Sequence, residues 1–182
     1  PKDWDVTTNA TPEQIIRAFD KTFYENSFGT VGVVNETAAD GGEIDPTVKV
    51  IEVTPYRTES TYSDKRRPDA VSFSTKLEDD LMRRDFTINA IAYDIESEKT
   101  VDLYGGLADL ASGHIKAVGN PRERFAEDAL RTIRAVRLAA QLDFTIEEET
   151  KKAIAHESEG LSHISQERIR DEFIKMLERS EE

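Results

Sequence analysis

Three carboxylates in the first third of the chain have the spacing of a metal-dependent site. Asp3 and Asp5 flank Trp4 in a segment predicted to be the end of a strand, where side chains alternate between two faces, so both carboxylates point to one side. Glu52 lies in another predicted strand, and a carboxylate there marks either a sheet edge or a site of chemistry. Carboxylates on neighbouring strands are the minimum needed to hold two Mg²⁺ ions for phosphoryl or nucleotidyl transfer.

A second candidate site is the pair Asp128 and Arg131. Both lie in a run of good helix formers from Phe125 to Leu142 without Gly or Pro, for which we predict one continuous helix. Residues three apart on a helix are neighbours, so an acceptor and a fork of donors would lie side by side. The predicted buried stripe of this helix is Ala126, Ala129, Ile133, Val136 and Ala140.

Hydrogen-bond polarity indicates what such a pair would bind. Cytosine and adenine each present an amino donor beside an unprotonated ring nitrogen, and a carboxylate beside a guanidinium complements both. Guanine and uracil present the reverse order and would place like groups opposite each other. The alternative interpretation is a surface ion pair followed by two solvated arginines, Arg134 and Arg137, and the pair alone does not decide between them.

The composition restricts the classes of function. The chain has 182 residues and a formal net charge of −13, which argues against a general nucleic-acid binder. Residues 61–142, however, hold 13 of the 24 basic side chains and 14 of the 37 acidic ones, so an arginine-rich middle lies between acidic ends. This distribution favours one local site for a polyanionic ligand.

The remaining composition favours a cytoplasmic protein that uses a hard cation. There are no cysteines and only three histidines, so a zinc site is not expected and any metal would bind carboxylates. No apolar run approaches the roughly 20 residues of a membrane span, and nothing resembles a signal peptide. We therefore expect no membrane partner.

The first 119 residues read as an α/β domain. Thr11 and Pro12 predict a helix start, and the helix is expected to reach about Phe23. Strands are predicted at Thr30–Val34 and Val48–Thr54, with a hairpin connection or an insertion between them. Tyr56–Lys76 has little periodicity and reads as a long mobile loop.

Later segments carry equally local signals. Strands are predicted near Ile91–Ile95 and Thr100–Leu103, followed by a short helix from about Leu107 that Gly113 closes. From residue 120 the pattern is helical. Thr145 with Glu148 predicts a capping box. Ser165 predicts the start of a last helix with this buried stripe: Ile169, Phe173, Met176 and Leu177.

Six short motifs occur in order along the chain. They are Asp3-Trp-Asp5, Glu52-Val-Thr-Pro-Tyr-Arg57, Asp64-Lys-Arg-Arg-Pro68, Arg83-Arg-Asp-Phe-Thr-Ile-Asn-Ala90, Asp102-Leu-Tyr-Gly-Gly-Leu-Ala-Asp109 and Glu127-Asp128-x-x-Arg131. Together they resemble the bacterial and eukaryotic class of tRNA nucleotidyltransferases, the CCA-adding enzymes, and their poly(A) polymerase relatives. The elements beginning at Arg83 and Glu127 are the most specific.

The resemblance implies a fold, a reaction and residue roles. The expected fold class is α/β (α+β), with a polymerase-β-like nucleotidyltransferase head at 1–119 and an all-helical neck at 120–182. The implied reaction is Mg²⁺-dependent addition of C and A from CTP and ATP to the 3′ end of tRNA. By the resemblance, Asp3 and Asp5 bind the metals, Glu52 completes the carboxylate set, and Asp85 and Asn89 support the sugar. The implied nucleotide-binding residues are Arg84, Asp128, Arg131, Arg134 and Arg137.

Within the family, we rank CCA addition first, then A addition, then poly(A) addition, and an inactive nucleotide- or RNA-binding fragment is the other alternative. The family's glycine-rich element would precede Pro1, and its helical body and tail would follow Glu182. The loop at Tyr56–Lys76, with Asp64, Arg66 and Arg67, is expected to shift the base-reading pair between C and A, or else only to contact phosphates.

Overall fold

The computed structural model describes residues 4–25, 29–36, 44–59 and 71–178. The chain divides into two compact units, one made of Pro1–Thr58 and Val71–Asp80, the other of Glu59–Ala70 and Leu81–Glu182. This division falls earlier in the chain than the predicted domain boundary at Gly119. The head and neck boundaries therefore stay a prediction.

The first unit contains a mixed four-stranded sheet with strand order β1-β4-β3-β2. β1 runs parallel to β4, whereas β3 is antiparallel to both β4 and β2. β3 and β4 pair as antiparallel neighbours, as a hairpin requires, and residues 37–43 of the connection, predicted as a hairpin loop or an insertion, lie outside the described residues. The strands are β1 (Asp5–Thr8), β2 (Thr22–Tyr24), β3 (Val31–Val34) and β4 (Val50–Pro55).

One helix, α1 (Pro12–Ala18), covers a face of this sheet, and its predicted start is confirmed. The Thr11 side chain accepts a hydrogen bond from the backbone of Gln14, whose side chain accepts one from Thr11 in return. The predicted end at Phe23 is wrong, because the chain turns extended at Phe19 and β2 then pairs with β3. The core between helix and sheet consists of Ile15, Val31, Val33 and Val53.

The segment predicted as a mobile loop, Tyr56–Lys76, is only partly irregular. Its ends form a second small sheet, β5 (Arg57–Glu59) with β6 (Val71–Phe73), so the loop prediction is wrong there. Its central residues, including Asp64, Arg66 and Arg67, lie outside the described residues. Helix α2 (Leu77–Met82) follows.

The second unit contains a hairpin and a set of helices. The predicted strands near residues 91–95 and 100–103 and the helix closed by Gly113, which has a left-handed φ of 68°, are confirmed. The larger buried cluster consists of Phe86, Ile115, Ala117, Phe125, Ala135 and Ala153, and a smaller one consists of Ala129, Leu130 and Ile164. The elements are β7 (Ile91–Asp94), β8 (Lys99–Asp102), α3 (Gly106–Ser112), β9 (His114–Ile115), α4 (Pro121–Glu127), α5 (Leu130–Leu142), β10 (Thr145–Ile146), α6 (Glu148–Glu157) and α7 (Gln166–Glu178).

The predicted continuous helix from Phe125 to Leu142 is two helices. α4 ends at Glu127, Asp128 is extended with φ −142° and ψ 105°, and α5 starts at Leu130. The Asp128 side chain accepts a hydrogen bond from the Leu130 backbone at 3.0 Å, a local side-chain-to-backbone contact that competes with a continuous helix. The break also shifts the buried stripe, so that Ala126, Val136 and Ala140 of the predicted set are exposed.

Two predictions about the last helices are wholly or partly wrong. Thr145 lies in β10, paired with β9, and the side chain that caps α6 is Glu147, which accepts from the Thr150 backbone at 2.8 Å. In α7, Phe173 and Leu177 of the predicted stripe are exposed and Ile169 and Met176 are partly buried, whereas Glu172 is buried. The inner face of α7 therefore combines the charged Glu172 with apolar residues such as Ile169, which packs near Leu130 of α5. Among the described residues, no helix is long and apolar enough to cross a bilayer.

Candidate active site

Two of the predicted catalytic carboxylates lie side by side in the first unit. Asp5 opens β1 and is the register partner of Glu52 on β4. Partners on parallel strands are about 5 Å apart and point to the same face, so the two side chains form what we call the carboxylate pair. Both residues are exposed and thus accessible to an ion. Asp3 lies outside the described residues.

The donor chemistry of the carboxylate pair fits a hard divalent cation. Mg²⁺ binds proteins through one or two carboxylates and keeps several waters, which suits two exposed carboxylates on adjacent strands. The part of the chain that the structure describes contains no group of three or more His, Cys, Asp or Glu side chains arranged for a metal ion. The pair is therefore the part of the predicted site that the structure describes.

A set of ionic contacts joins the ends of α4 and α5 in the second unit. Arg131 is buried, and its Nη1 donates to Glu127 Oε2 at 2.7 Å and to the carbonyl of Arg124 at 3.1 Å, while its Nη2 donates to the carbonyl of Arg83 at 3.4 Å. Glu127 Oε1 also pairs with Arg124 Nη2 at 2.7 Å. Glu127 therefore bridges two arginines and helps to hold Arg131 in place.

Asp128 is held from two sides. Its Oδ1 accepts from the Leu130 backbone at 3.0 Å, and its Oδ2 pairs with Arg168 Nη2 at 2.8 Å. A carboxylate has about four acceptor sites, so these two bonds leave capacity for a donor on a ligand. Sequence spacing placed Asp128 and Arg131 one turn apart on one helix, but the structure puts Asp128 in the break before α5.

Arg134 extends these contacts to the segment around Asp85. Arg134 Nη2 lies 2.9 Å from Asp85 Oδ2, and Asp85 Oδ1 accepts from the Phe86 backbone at 3.0 Å and from Asn89 Nδ2 at 3.3 Å. Asp85 is 7% exposed, whereas the Arg134 side chain is 39% exposed. Arg84, the neighbour of Asp85, is partly buried.

Arg137 is anchored to the last helix. Its Nε pairs with Glu172 Oε2 at 2.6 Å and its Nη1 donates to Gln141 Oε1 at 2.7 Å. Gln141 in turn donates to the carbonyl of Lys175 at 2.7 Å. We call the contacts of Arg124, Arg131, Arg134 and Arg137 with their acidic partners the arginine network. Every predicted nucleotide-binding residue belongs to the second unit.

Sequence reasoning missed two members of this region, Arg168 and Glu172. They lie four residues apart, the spacing that puts two side chains on one helix face. That spacing within a charged stretch of α7 was the available signal, and the apolar-stripe interpretation of the same helix obscured it.

Asp102, the first residue of the fifth motif, serves a local structural purpose. Asp102 accepts from the backbone N–H groups of Gly106 and Leu107 at 2.8 and 2.9 Å. The hydrogen bond from Leu107, followed by the weaker effect of Gly106, lowers the pKa of the Asp102 carboxyl below its ordinary value despite some desolvation. Asp102 thus holds the turn that starts α3.

Comparison with known proteins identifies the family. A family model described as the poly A polymerase head domain matches residues 1–116, and a second, described as a probable RNA and SrmB-binding site of polymerase A, matches residues 143–181. The chain therefore belongs to the poly A polymerase head domain family, as the resemblance predicted.

Proteins with similar sequences include CCA-adding enzymes. The chain is 50% identical over 176 residues to the CCA-adding enzyme of Enterococcus faecalis, covering 96% of this chain and 40% of that protein. It is 49% identical over 175 residues to that of Lactobacillus helveticus, covering 96% of this chain and 41% of that protein. The chain thus spans about two fifths of the length of the relatives it matches.

A solved structure shows the same architecture. The CCA-adding enzyme of Bacillus stearothermophilus in complex with CTP superposes with a TM-score of 0.78 and 39% identity, covering 94% of this chain and 38% of that one. The predicted fold class, a mixed α/β protein with a polymerase-β-like nucleotidyltransferase head, is confirmed.

Proposed function

We propose that this chain is the nucleotidyl-transfer part of a CCA-adding enzyme, which extends the 3′ end of tRNA with C and A taken from CTP and ATP, without a template. The observation that carries the proposal is the 50% identity to a CCA-adding enzyme over 96% of the chain. The proposal places the reaction in the cytoplasm, where tRNA and nucleoside triphosphates are present.

The carboxylate pair, together with Asp3, would hold Mg²⁺. Members of this family generally depend on a divalent metal, and the adjacent, exposed oxygens of Asp5 and Glu52 support Mg²⁺ as that ion. An ion held there would lower the pKa of an attacking hydroxyl and neutralise charge on the phosphates. The chain itself fixes the two carboxylates on paired strands, so that their side chains would need little rearrangement when the ion binds.

The second unit would select the nucleotide. Asp128 would accept a hydrogen bond from the amino group of cytosine or adenine, and Arg131 would donate to the neighbouring ring nitrogen. Arg84 and Arg134 would contact the triphosphate or sugar, since a guanidinium fork suits phosphate oxygens. Arg137, whose Nε and Nη1 engage Glu172 and Gln141, would contact the nucleotide through its Nη2.

The experiment uses the full-length protein that contains this chain, with tRNA lacking its terminal CCA and with CTP, ATP, UTP and GTP offered singly and together. Sequencing of the product 3′ ends should show C, C and A added in that order. A run of A on every substrate would instead indicate a poly(A) polymerase, and a single A on tRNA ending in CC would indicate an A-adding enzyme. Nucleotide binding without any extension would leave the alternative of an inactive binding fragment.

A further inference from the structure

We infer that Arg168 is a positioning residue for base selection, acting through Asp128. This inference rests on the proposed function, because it gives Arg168 a purpose only if Asp128 reads the base. Arg168 lies on α7, in the segment that matches the RNA-binding family model, and outside all the motifs that carry the family resemblance.

The geometry of the contact supports this assignment. Arg168 Nη2 lies 2.8 Å from Asp128 Oδ2, with side-chain exposures of 30% and 15%. The other oxygen of Asp128 is taken by the Leu130 backbone. One donor on each oxygen defines the plane of the carboxylate, whereas the backbone bond alone leaves the side chain free to rotate about its own axis.

The orientation of that plane decides which base edge fits. A carboxylate reads an amino donor only if a lone pair points along the plane of the base, and hydrogen bonds weaken steeply once the angle falls below about 120°. Because Asp128 lies in the extended break between α4 and α5, helix geometry does not restrain its side chain. Arg168 supplies that restraint from a different helix.

Packing between helices positions the backbone that carries Arg168. α7 packs against α5, and four residues after Arg168 the buried Glu172 pairs with Arg137 of α5 at 2.6 Å. Arg168 Nη1 is buried and makes no hydrogen bond with the described residues, so the guanidinium engages Asp128 through a single nitrogen. A lysine could supply one charged donor of this kind, whereas a methionine of similar length could not.

The test compares Arg168→Lys and Arg168→Met in the full-length protein, with Arg170→Ala as a matched control. Arg170 lies two residues away, is 66% exposed and pairs only with its neighbour Asp171 among the described residues. For each protein, the apparent kcat/KM of CTP and ATP on the appropriate tRNA ends is measured against those of UTP and GTP. Thermal unfolding of each variant is recorded in parallel.

Arg168→Met should reduce the preference for CTP and ATP over UTP and GTP by roughly ten- to hundredfold, the range of one hydrogen bond to a charged group. Arg168→Lys should restore much of it, and Arg170→Ala should match the wild type. Added to Asp128→Ala, Arg168→Met should cause no further loss of preference, because a residue that acts through Asp128 has nothing left to orient.

Two results would overturn the inference. In the first, Arg168→Met lowers the unfolding temperature or slows all four nucleotides alike while the preference stays as in the wild type, so that Arg168 is structural. In the second, Arg168→Met lowers the preference by the same factor in the wild type and in Asp128→Ala, so that Arg168 does not act through Asp128. A wild-type enzyme that fails to prefer CTP and ATP would overturn the proposed function itself, which is a distinct outcome.

Discussion

The carboxylate pair and the arginine network differ in how far their side chains are built into the fold. Asp5 and Glu52 are exposed on adjacent strands, and the sheet that supports them is stabilised by Ile15, Val31 and other apolar residues beneath it. Arg131 and Glu172, in contrast, are buried and form part of the packing between helices. The two sets should therefore respond differently to mutation, since only the second combines a proposed chemical role with a structural one.

The largest effect is expected at the carboxylate pair. Asp5→Asn should reduce nucleotide incorporation by several orders of magnitude, because it removes a charged ligand worth several kcal/mol of transition-state stabilisation. The free energy of unfolding should hardly change, since Asp5 is exposed at the start of a strand. Single-turnover incorporation and urea unfolding measure the two quantities.

Asp20→Asn provides the control, because Asp20 is an exposed aspartate of the same unit that lies outside any strand or helix. It should leave incorporation and stability unchanged. Near-normal turnover of the Asp5 variant in Mg²⁺ would remove Asp5 from the metal site. A large loss of stability would contradict the contrast between the two regions.

A mixed effect is expected at Arg131. Arg131→Ala should lower the free energy of unfolding by about 2 kcal/mol, because it removes buried, charge-assisted hydrogen bonds to Glu127 and to backbone carbonyls. If Arg131 also reads the base, discrimination against UTP and GTP should fall by a similar free energy. Comparing all four nucleotides with urea unfolding separates the two roles.

Arg122→Ala is the matched control for Arg131, since Arg122 is an exposed arginine on α4 whose backbone, and not its side chain, makes the contact with Asn120. We expect it to resemble the wild type in both measurements. If Arg131→Ala weakened all four nucleotides equally, base reading by Arg131 would be wrong and a phosphate-binding or purely structural role would replace it.

A smaller and purely structural effect is expected at Glu172. Glu172→Ala should cost about 1.5 kcal/mol of stability, because it leaves the largely buried guanidinium of Arg137 without its carboxylate. Base discrimination should be retained, since the Arg168–Asp128 contact does not involve Glu172. Asp171→Ala, which removes an exposed neighbour on the same helix, should change neither quantity.

The reciprocal variant Arg137→Ala tests the same ion pair from its other side. We expect a loss of stability close to that of Glu172→Ala and a small additional effect when the two are combined, as for any two members of one contact. If Arg137→Ala instead weakened CTP and ATP binding at unchanged stability, Arg137 would be mainly a nucleotide ligand, as the family resemblance implied.

The different success of sequence reasoning in the two regions has a physical basis. In strands, alternation with period two is strict, so the exposed face that carries Asp5 and Glu52 could be predicted together with the strands themselves. The pairing of β1 with β4 could not be predicted, because the partner of a strand is set by long-range packing. The helix start at Thr11 was predictable, because a capping box is local.

The helical region was harder to predict because its decisive contacts are polar and distant in sequence. Nothing in the composition around Asp128 signals a helix break, and the contacts that Asp128 makes there are a hydrogen bond from the Leu130 backbone and the pairing with Arg168, 40 residues away. Similarly, β2 overrides helix propensity at Phe23 because it pairs with β3. Periodicity of apolar residues is only partly right for α7, where Ile169 and Met176 are partly buried but the fully buried residue is Glu172.

The smallest effect is expected at Asp102, which tests whether a motif aspartate is structural. Its folded-state pKa is lowered, chiefly by the hydrogen bond from Leu107, so its stabilising effect is present above the unfolded-state pKa of about 3.9 and is lost as the pH falls through the lower folded-state pKa. Asp102→Ala should therefore cost about 1 kcal/mol of unfolding free energy at pH 7, as expected for a lost cap.

This difference between Asp102→Ala and the wild type should shrink steadily below about pH 4, where the wild-type carboxylate becomes protonated and loses the charge that the backbone N–H groups of Gly106 and Leu107 stabilise. Urea unfolding at a series of pH values measures it. Glu96→Ala, an exposed residue in the preceding turn, should show no such dependence. A difference that stayed constant down to pH 2 would mean that the side chain acts by its shape and not by its charge.

Because Asp102 belongs to the second unit but lies outside the arginine network, an intact base preference in Asp102→Ala would also show that modest destabilisation of this unit does not by itself reduce selectivity.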